Sequence, residues 1–402
     1  MSNIVITLAV PDKTGASRMA CQFSDALVQA GHEVLVVHGS EPSGQDRSIV
    51  PMLNSIGART ALESGLAFPV SPVLPDRVGR LAAVHNAHCI IGVNQRDRTV
   101  ALSAARHISV PGIVCAQNQH IFWGPWPVPF LKASFYAQSM RRNADLIVCT
   151  SAAVQEEFVK RFGVKRERTC CLSNGIDVFG FPRFSDVELR ETRRLMGFGD
   201  DDLMMINVGR TDQQKGLDIL VESLRHLDKS NSARLIQIGD VTDGAAKGRG
   251  LVHRQKLNQM IQTNGLEESI SFVGWRDDVP RLLQAADIYV HSARWEGSPL
   301  SVIEAMAAGI AVVTPDNTSR PEGFEDGTHG IVVAPECAQQ LAVGLNKMLR
   351  LTKNQRCKMG LAARSLAENR YDISVISQKF VTLIEGVIAR AGRTIAAEKE
   401  TS

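Results

Sequence analysis

Short runs of consecutive apolar residues alternate with longer amphipathic stretches along the whole chain. Apolar runs placed between helices are typical of parallel strands whose sheet is covered on both faces. Residues 217–227 show the helical counterpart, with leucine or valine at every third or fourth position and charged residues between them. The predicted strands are Ile4–Val10, Val34–His38, Cys89–Val93, Ile113–Ala116, Leu146–Thr150 and Cys170–Ser173, then Met204–Val208, Leu235–Ile238, Ile270–Val273, Ile288–His291, Ile310–Thr314 and Ile331–Val333.

The two series of strands predict an α/β protein with two doubly wound, Rossmann-like parallel-sheet domains. The strand signal stops near residues 181–186, where a polar helix begins. We therefore expect domains at 1–180 and 181–371, with residues 372–402 forming a C-terminal helix and tail that packs back on the first domain. Ligands of open parallel sheets bind at the carboxyl ends of the strands. Two such sheets facing each other would make a binding cleft between the domains.

Composition narrows the class of protein. A chain of 402 residues is long for one domain and comfortable for two. The net charge of +3 is too mild to indicate binding to nucleic acid. The eight cysteines form no Cys-x-x-Cys pair, which favours reduced core thiols over a zinc site. The N-terminus has no basic leader, and no apolar run is long enough to span a bilayer, so the sequence predicts a cytoplasmic protein.

Residues 296–309 predict a helix whose N-terminus binds an anion. Ser298 is a good N-cap and Pro299 suits the first helical position, while Gly309 ends the apolar periodicity. A helix N-terminus offers unpaired N–H groups and the positive end of the dipole, which favour a phosphate. Glu296 stands just before this position and Glu304 about a turn and a half inside the helix. This arrangement fits a ligand with phosphate in the middle and hydroxyls on both sides, such as a nucleotide sugar.

A second candidate element follows the strand that ends at Val208. Gly209 lets the backbone turn close to a ligand, and the cations Arg210 and Lys215 come next. They leave at the carboxyl end of the strand, where a diphosphate would lie. A guanidinium can hold two phosphate oxygens, while an ammonium acts as a movable point charge. The alternative is that both are solvated loop charges, as most arginines and lysines are.

Taken together, these elements resemble a known family. The similarity covers nearly the whole chain, and its weight lies in the order and spacing of the motifs rather than in any one of them. The matching segments are Thr14–Arg18 with Gly31–Val34, Ala144–Val148, Ser173–Asp177, Val208–Arg210 with Lys215–Gly216, Phe272–Trp275, Ala286–Ile288, and Arg294–Gly297 through Glu304–Met306. The chain resembles the retaining, GT-B fold glycosyltransferases of glycosyltransferase family 4.

The resemblance implies a role for each matching residue. Arg210 and Lys215 would neutralise the diphosphate of a nucleotide-sugar donor, and Glu296 would hydrogen-bond a hydroxyl of the donor sugar. Glu304 would hold the ribose. The family uses neither a metal nor another cofactor, and the leaving phosphate takes the proton of the acceptor. Glu296 as a covalent nucleophile is the disfavoured alternative. Main-chain groups around three further residues would contact the sugar and the distal phosphate: Gly297, Ser298 and Leu300.

The first domain matches the family less closely. The family's loop after the first strand has two glycines, whereas here Thr14 stands in the first position and only Gly15 remains. Gly15 is predicted to open a helix whose N–H groups face a phosphate, although a plain strand-to-helix turn fits equally well. The family also often places a sugar-binding histidine after the fourth strand. His120 is offset from that position, so either His120 or one of Gln117 and Asn118 is predicted to contact the donor sugar.

The expected partners are a nucleotide-sugar donor, such as a UDP- or GDP-sugar, and a glycan, lipid-linked glycan or small-molecule acceptor. The aromatic, proline-rich stretch 121–130, followed by Arg141 and Arg142, would suit peripheral contact with the inner face of a membrane. Lining of an acceptor cleft explains the same residues equally well. The expected pathway is biosynthesis of a cell-surface polysaccharide or glycoconjugate.

Two other functions remain open on the same fold. One is a nucleotide-sugar epimerase or hydrolase, and the other is a non-catalytic protein that binds nucleotide sugars. A sensor would have little use for cations placed to stabilise a departing diphosphate. A dinucleotide-dependent oxidoreductase is disfavoured, because no Gly-x-Gly-x-x-Gly follows a predicted strand.

Overall fold

The computed structural model divides the chain into two compact units. The first consists of residues 1–174 with 373–402, and the second of residues 175–372. The sequence placed the boundary after residue 180, a few residues further along the chain. The structure describes residues 1–42, 48–67, 71–120, 126–228, 232–241, 247–318 and 320–400, without the side chains of residues 67, 247, 249 and 394–400.

A parallel β-sheet forms the centre of the first unit. Within the described residues its strands are β1 (Asn3–Leu8), β2 (Glu33–His38), β3 (Arg59–Leu62), β4 (Cys89–Gly92), β5 (Gly112–Ala116), β6 (Leu146–Cys149) and β7 (Thr169–Cys171). They pair in the order β3-β2-β1-β4-β5-β6-β7. Strand β3 lies at the edge of the sheet and was not predicted. Its residues are exposed or half-buried, so it lacks the apolar run that marks the other strands.

Helices cover this sheet and include the C-terminal helix of the chain. They are α1 (Gly15–Gln29), α2 (Val50–Ser55), α3 (Leu74–Val84), α4 (Arg98–His107), α5 (Val128–Asn143), α6 (Ala152–Glu156) and, from the chain's end, the helix Ile373–Glu400. The C-terminal helix packs on α1, where the rings of Phe23 and Phe380 stack with centroids 3.9 Å apart. Among the described residues, the search for a helix with the length and hydropathy to cross a membrane found none.

The second unit is built on another parallel sheet. Its strands in the described part of the chain are β8 (Leu203–Val208), β9 (Ala233–Ile238), β10 (Ile270–Phe272), β11 (Ile288–Val290), β12 (Ala311–Pro315) and β13 (Gly330–Val333). They pair in the order β10-β9-β8-β11-β12-β13. Each coincides with a predicted apolar run to within two residues, so the sequence prediction of this sheet is confirmed.

Helices lie on both faces of the second sheet. They are α7 (Asp186–Leu195), α8 (Leu217–Leu224), α9 (Lys247–Thr263), α10 (Val279–Ala285), α11 (Leu300–Ala308), α12 (Ala338–Arg350) and α13 (Lys353–Arg370); the C-terminal helix of the first unit is then α14. Residues of strand β8 show that the two faces of the sheet pack against different helices. Met204 and Ile206 belong to the core cluster that contains α11, while Met205 belongs to the cluster that contains α8.

The order of the strands locates a crevice in each unit. In the first unit β1 lies beside β4, and in the second β8 lies beside β11. The chain winds in opposite directions from each of these pairs, which makes them topological switch points. Ligands of doubly wound sheets bind beyond the carboxyl ends of strands at such points. The loops after β8 and β11 carry the predicted catalytic residues of the second unit.

Candidate active site

The loop after β8 brings two cations to the carboxyl edge of the second sheet. Residues Gln213–Lys215 form one 3-10 turn, which Asp212 caps by accepting a hydrogen bond from the N–H of Lys215 at 3.3 Å. Arg210 precedes this turn, and its Nη2 lies 3.1 Å from Asp212 Oδ2. The side chain of Arg210 is 40% exposed and that of Lys215 only 16%. The loop therefore offers one accessible and one largely buried positive charge.

Two glycines allow the close packing of this loop. A Cβ on Gly209 would lie 3.3 Å from Cδ of Lys215, so the lysine side chain passes directly over Gly209. Gly216 has φ +61, and a Cβ there would lie 2.1 Å from the carbonyl oxygen of Ser292. Ser292 also donates its hydroxyl to the carbonyl oxygen of Lys215 at 2.9 Å. The loops after β8 and β11 are thus fixed against each other at the base of Lys215.

Glu296, from the loop after β11, completes the cluster. Its side chain is 9% exposed, and its Oε1 forms an ion pair with the ammonium of Lys215. Its Oε2 accepts a hydrogen bond from Nε2 of Gln214 at 3.1 Å. A buried carboxylate needs such partners, because burial without them is costly. The structure therefore brings Lys215 and Glu296 into contact, with Arg210 joined to them through Gln214 at 3.3 Å.

Residues after β12 hold the loop that carries Glu296. Nδ2 of Asn317 donates to the carbonyl oxygens of Ala293 and Arg294, both at 3.0 Å. The hydroxyl of Thr318 accepts the N–H of Glu296 at 3.0 Å. Hydrogen bonds to three backbone groups within four residues of one loop leave its backbone little freedom. The position of Glu296 is therefore set by both neighbouring loops.

The helix after Glu296 begins one residue later than predicted. Ser298 is not the N-cap: Pro299 is, with φ −76 and ψ 98, and α11 starts at Leu300. The carbonyl oxygen of Pro299 accepts hydrogen bonds from the N–H groups of Val302 (3.0 Å) and Ile303 (3.2 Å). This carbonyl oxygen is therefore the first main-chain hydrogen-bond acceptor of α11. Gly297 and Ser298 consequently form the approach to the helix N-terminus, while the predicted end at Gly309 is confirmed by its φ of +77.

Glu304 lies half-buried in α11 and shares its surroundings with Glu296. The charges of both carboxylates act on the same buried phenol, that of Tyr289, whose hydroxyl donates to Oγ of Ser301 at 2.8 Å. Burial first, and then these charges, raise the pKa of Tyr289. Next to it, burial and the charge of Lys215 lower the pKa of His291 to about 3. Both aromatic groups are therefore neutral at physiological pH, and the charges of the site are those of the carboxylates and cations.

In the first unit, Gly15 begins α1 as the sequence predicts, with Thr14 as the N-cap. The loop before it is tied to the helix by Asp12, whose Oδ1 accepts the N–H of Thr14 at 3.2 Å and the hydroxyl of Ser17 at 3.0 Å. Ala16 then borders a small cavity whose other lining residues come from the loop after β4, the first residue of α4 and the loop after β5: Val93, Asn94, Gln95, Arg98, Gln117, Asn118 and Gln119.

His120 lies in the interior beside this cavity rather than on its wall. Its Nδ1 donates to Oε2 of Glu157 at 2.9 Å, and its Nε2 accepts from Nη1 of Arg98 at 2.7 Å and from the hydroxyl of Tyr136 at 2.8 Å. Burial lowers the pKa of His120 to about 4. Since both ring nitrogens are engaged, the geometry favours Gln117 and Asn118 over His120 as sugar contacts. Contact of any of the three with a ligand stays a prediction.

Two further sequence predictions concern the first unit and metal binding. Residues 121–125 of the aromatic stretch lie outside the described residues, whereas Trp126 and Phe130 are described and exposed. Within the part of the chain that the structure describes, no group of three His, Cys, Asp or Glu residues could hold a metal ion.

Two family models match nearly the whole chain. Residues 13–178 match the model described as Glycosyltransferase Family 4, and residues 190–366 match the model described as Glycosyl transferases group 1. The chain belongs to glycosyltransferase family 4. Solved structures of similar proteins show its fold. The crystal structure of Anabaena Alr3699/HepE in complex with UDP-glucose aligns with a TM-score of 0.81, at 21% identity, over 96% of this chain and 100% of that chain. The family 4 chain therefore has the GT-B fold.

Curated relatives match this family 4 chain over part of their length. The mannosylfructose-phosphate synthase of Agrobacterium fabrum is 23% identical over 249 residues, which cover 61% of this chain and 54% of that protein. The lipopolysaccharide core biosynthesis mannosyltransferase LpsB of Rhizobium meliloti is 30% identical over 166 residues, covering 40% of this chain and 45% of that protein. The matches thus span about half the length of these relatives.

The structure also contains residues of the site that the sequence did not reveal. Gln214, Asn317 and Thr318 hold Glu296 or its loop, and none was singled out for this. Asn317 and Thr318 lie outside the segments that carry the resemblance to the family. Gln214 lies between the two predicted cations but carries no charge, so nothing in its residue type marks it.

Proposed function

We propose that this chain is a retaining glycosyltransferase that moves a hexose-type sugar from a nucleotide diphosphate sugar to a glycan or lipid-linked glycan acceptor, without a metal. The observation that carries the proposal is the contact between Lys215 and the buried Glu296, with Arg210 joined to them, at the β8/β11 switch point. Family membership supplies the class of reaction, and this cluster supplies groups suited to it.

The two cations suit the leaving group. An ammonium has three protons to donate, and the contact with Glu296 engages one, so Lys215 retains two for phosphate oxygens. Arg210 adds a planar guanidinium that is accessible from solvent. As the bond from the anomeric carbon to the phosphate oxygen breaks, negative charge grows on the diphosphate. Cations placed at that charge lower the barrier, because they bind the transition state better than the ground state.

Glu296 suits recognition of a sugar hydroxyl. A carboxylate whose two oxygens are each held by a donor has a fixed orientation and further lone pairs for accepting a hydroxyl proton. The same partners reduce its strength as a nucleophile. We therefore assign retention to attack of the acceptor hydroxyl on the face that the diphosphate leaves, with the hydroxyl proton passing to the departing phosphate oxygen.

The donor is most simply a UDP-sugar, with a GDP-sugar as the alternative. Main-chain groups at Gly297, Ser298 and Leu300 stand at the N-terminus of α11, which suits the distal phosphate and sugar. Glu304, inside that helix, would hold the ribose. The Anabaena protein has been crystallised with UDP-glucose, which supports a uridine donor. The mannosyltransferase LpsB, named for lipopolysaccharide core biosynthesis, supports a hexose and a cell-surface glycoconjugate pathway.

The first unit would bind the acceptor and would also contact the donor sugar. Gly15 opens α1 next to a cavity lined mainly by carboxamides, among them Gln117 and Asn118. Arg98 also borders the cavity, but its guanidinium is engaged with the carbonyl oxygens of Val93 and Cys115 and with two side chains. Neutral amide groups both donate and accept hydrogen bonds, which suits the hydroxyls of a sugar.

The proposal is tested by incubating the full chain with UDP-, GDP- and ADP-sugars and measuring release of the nucleotide diphosphate, with and without glycan acceptors and with and without EDTA. We expect slow release with one nucleotide class, acceleration by an acceptor, and no loss in EDTA. NMR of the product should show the anomeric configuration of the donor. A strict requirement for a divalent ion would contradict the metal-free mechanism. Epimerised sugar would instead indicate the epimerase alternative, and binding without turnover would indicate a sensor.

Peripheral membrane contact is a separate part of the proposal, supported by α5. Phe130, Leu131 and Phe135 of this helix are exposed, as is Trp126 just before it, and Leu131 and Phe135 are neighbours on one face. The last turn of α5 adds Arg141 and Arg142, and Arg168 and Arg106 donate to their carbonyl oxygens at 3.2 and 3.4 Å. Four arginines thus gather at the C-terminal end of a helix that carries exposed apolar side chains. This combination suits the interface of an anionic bilayer.

Sedimentation with lipid vesicles checks this contact. We expect the protein to bind vesicles containing phosphatidylglycerol and to bind neutral phosphatidylcholine vesicles much less. The double variant F130S/F135S should lose at least tenfold in affinity, since each removes an exposed aromatic side chain whose burial in lipid is worth about 1.5–3 kcal/mol. The control is F179S, which removes a similarly exposed phenylalanine from the second unit. Equal binding by all three proteins would contradict the contact.

A further inference from the structure

Gln214 lies between Arg210 and Lys215 in the sequence. In the structure its side chain lies between Arg210 and Glu296. It is half-buried in the 3-10 turn, and its side-chain amide uses both of its ends. Oε1 accepts a hydrogen bond from Nη2 of Arg210 at 3.3 Å. Nε2 donates to Oε2 of Glu296 and to the carbonyl oxygen of Trp295, both at 3.1 Å. One neutral side chain thus links a cation, a carboxylate and the backbone of the opposite loop.

The backbone of Gln214 is fixed to the same loop. Its carbonyl oxygen accepts the N–H of Arg294 at 2.8 Å. Arg294 also donates Nη1 to the carbonyl oxygen of Gln213 at 2.9 Å, and it forms two hydrogen bonds with Asp218 at 2.8 and 2.7 Å. The main chain at Gln214 is therefore hydrogen-bonded directly to the loop that carries Glu296. Its amide is preorganised towards Glu296 rather than placed there by a flexible side chain alone.

From these contacts we infer that Gln214 is a positioning residue that holds Glu296 and Arg210 in one fixed arrangement, independently of Lys215. The contacts of Gln214 stand on their own, but their effect on catalysis rests on the proposed function. Lys215 is shared between Glu296 and any diphosphate, so its bond to Glu296 weakens as it turns to phosphate. Gln214 contributes a donor to Oε2 without adding charge, and this donor stays in place during that exchange. Glu296 then keeps the orientation that a sugar hydroxyl needs.

A double-mutant cycle between Gln214 and Glu296 tests the inference. Gln214→Met keeps the length of the side chain but removes its three hydrogen bonds, to Arg210, Trp295 and Glu296. We expect it to lower kcat for sugar transfer on the order of 10²-fold, with a smaller effect on the KM of the donor, because misplaced catalytic groups cost about that much. If Gln214 acts through Glu296, the variant Q214M/E296Q should be no slower than E296Q alone. Independent effects that multiply in the double variant would overturn the inference.

Gln214→Glu gives a second readout that a merely structural role would not produce. It places a carboxyl group of the same shape against Oε2 of Glu296, and two carboxylates at this distance cannot both ionise easily. One proton shared between them restores a donor. Activity relative to the unsubstituted protein should therefore rise as the pH falls towards the raised pKa of the pair, by at most about tenfold for each pH unit, and should level off below that pKa. Gln213→Glu is the matched control, since it adds the same charge one residue away on an exposed side chain. It should show no such pH dependence.

Thermal unfolding of the same variants needs no substrate. A carboxyl group with a raised pKa keeps its proton in the folded state above about pH 4.3, where the unfolded state has lost it. The stabilisation is therefore present at low pH and is lost as the pH rises through the raised pKa. Q214E should melt further below the unsubstituted protein at pH 8 than at pH 5, and Q213E should not.

The two kinds of failure can be told apart. If the unsubstituted protein transfers no sugar while the melting of Q214E depends on pH as expected, the proposed function fails and the placement of Gln214 against Glu296 stands. If the unsubstituted protein is active but Q214M and Q214E match it in kcat and pH profile, the proposed function stands and the positioning role is overturned.

Discussion

Replacing Lys215 by alanine is expected to lower kcat for sugar transfer by about 10²- to 10³-fold, the loss typical of removing one group that stabilises developing charge. The ammonium of Lys215 is the least exposed cation of the cluster and the partner of the buried Glu296. Its loss leaves the departing diphosphate with Arg210 alone. Steady-state transfer from the active nucleotide sugar, with donor KM determined separately, measures the effect.

The same substitution should also cost stability, which has to be separated from catalysis. Glu296 keeps Gln214 as a donor but loses its ion pair, a loss of about 2 kcal/mol. The variant K215M/E296Q removes both charges and should recover much of this stability while remaining inactive. Lys353→Ala, at an exposed lysine that begins α13, is the control for loss of a positive charge elsewhere in the unit. Near wild-type turnover by K215A would show that the chemistry lies elsewhere.

The sheets could be predicted because parallel strands buried on both faces leave a continuous apolar run. In β8 the successive residues Met204 and Met205 point to opposite faces of the sheet and pack against different helices. Both faces of the strand therefore require apolar side chains. The same reason explains the one strand that was missed. Strand β3, with Arg59 and Leu62 exposed, is held by backbone hydrogen bonds to β2 at the edge of the sheet and has no pattern of its own.

The candidate site could be predicted only in part, because charge and motif spacing mark some roles and not others. Arg210, Lys215 and Glu296 are found by their residue types in an ordered set of motifs. Gln214 has no charge, and its partner Glu296 is 82 residues away, so their contact depends on the β8/β11 pairing. Thr318 likewise acts by accepting a hydrogen bond from the N–H of Glu296, and no local sequence pattern predicts that contact.

His120 shows that a residue type can suggest a contact that its surroundings in the structure disfavour. A histidine in a loop after a strand is a reasonable sugar contact on sequence grounds. In the structure a buried network with Glu157, Arg98 and Tyr136 takes up both ring nitrogens. The partners come from α6–β7, α4 and α5, so no short segment of sequence contains them together.

The second large effect is expected at Gly216, where alanine should destabilise the second unit by about 3 kcal/mol or more. Two costs add. The left-handed conformation at φ +61 strains a residue with a Cβ by about 1–2 kcal/mol. The Cβ would also lie 2.1 Å from the carbonyl oxygen of Ser292, a backbone atom that cannot turn aside, and overpacking of this kind costs about 1–3 kcal/mol. Urea unfolding of the purified variant measures the sum.

Gly265→Ala separates the two costs, because Gly265 has φ +63 and nothing within 4 Å of its Cβ position. It should lose only the conformational part, so the difference between the two variants reports the contact with Ser292. Relief of that contact in G216A must move residues 215–216 away from the end of β11. Since Ser292 holds the carbonyl oxygen of Lys215, the ammonium then shifts relative to Glu296, and kcat should fall about 10²-fold at temperatures where the variant is folded. Equal destabilisation by both substitutions, with full activity in G216A, would mean that the loop can yield at Ser292 without disturbing Lys215.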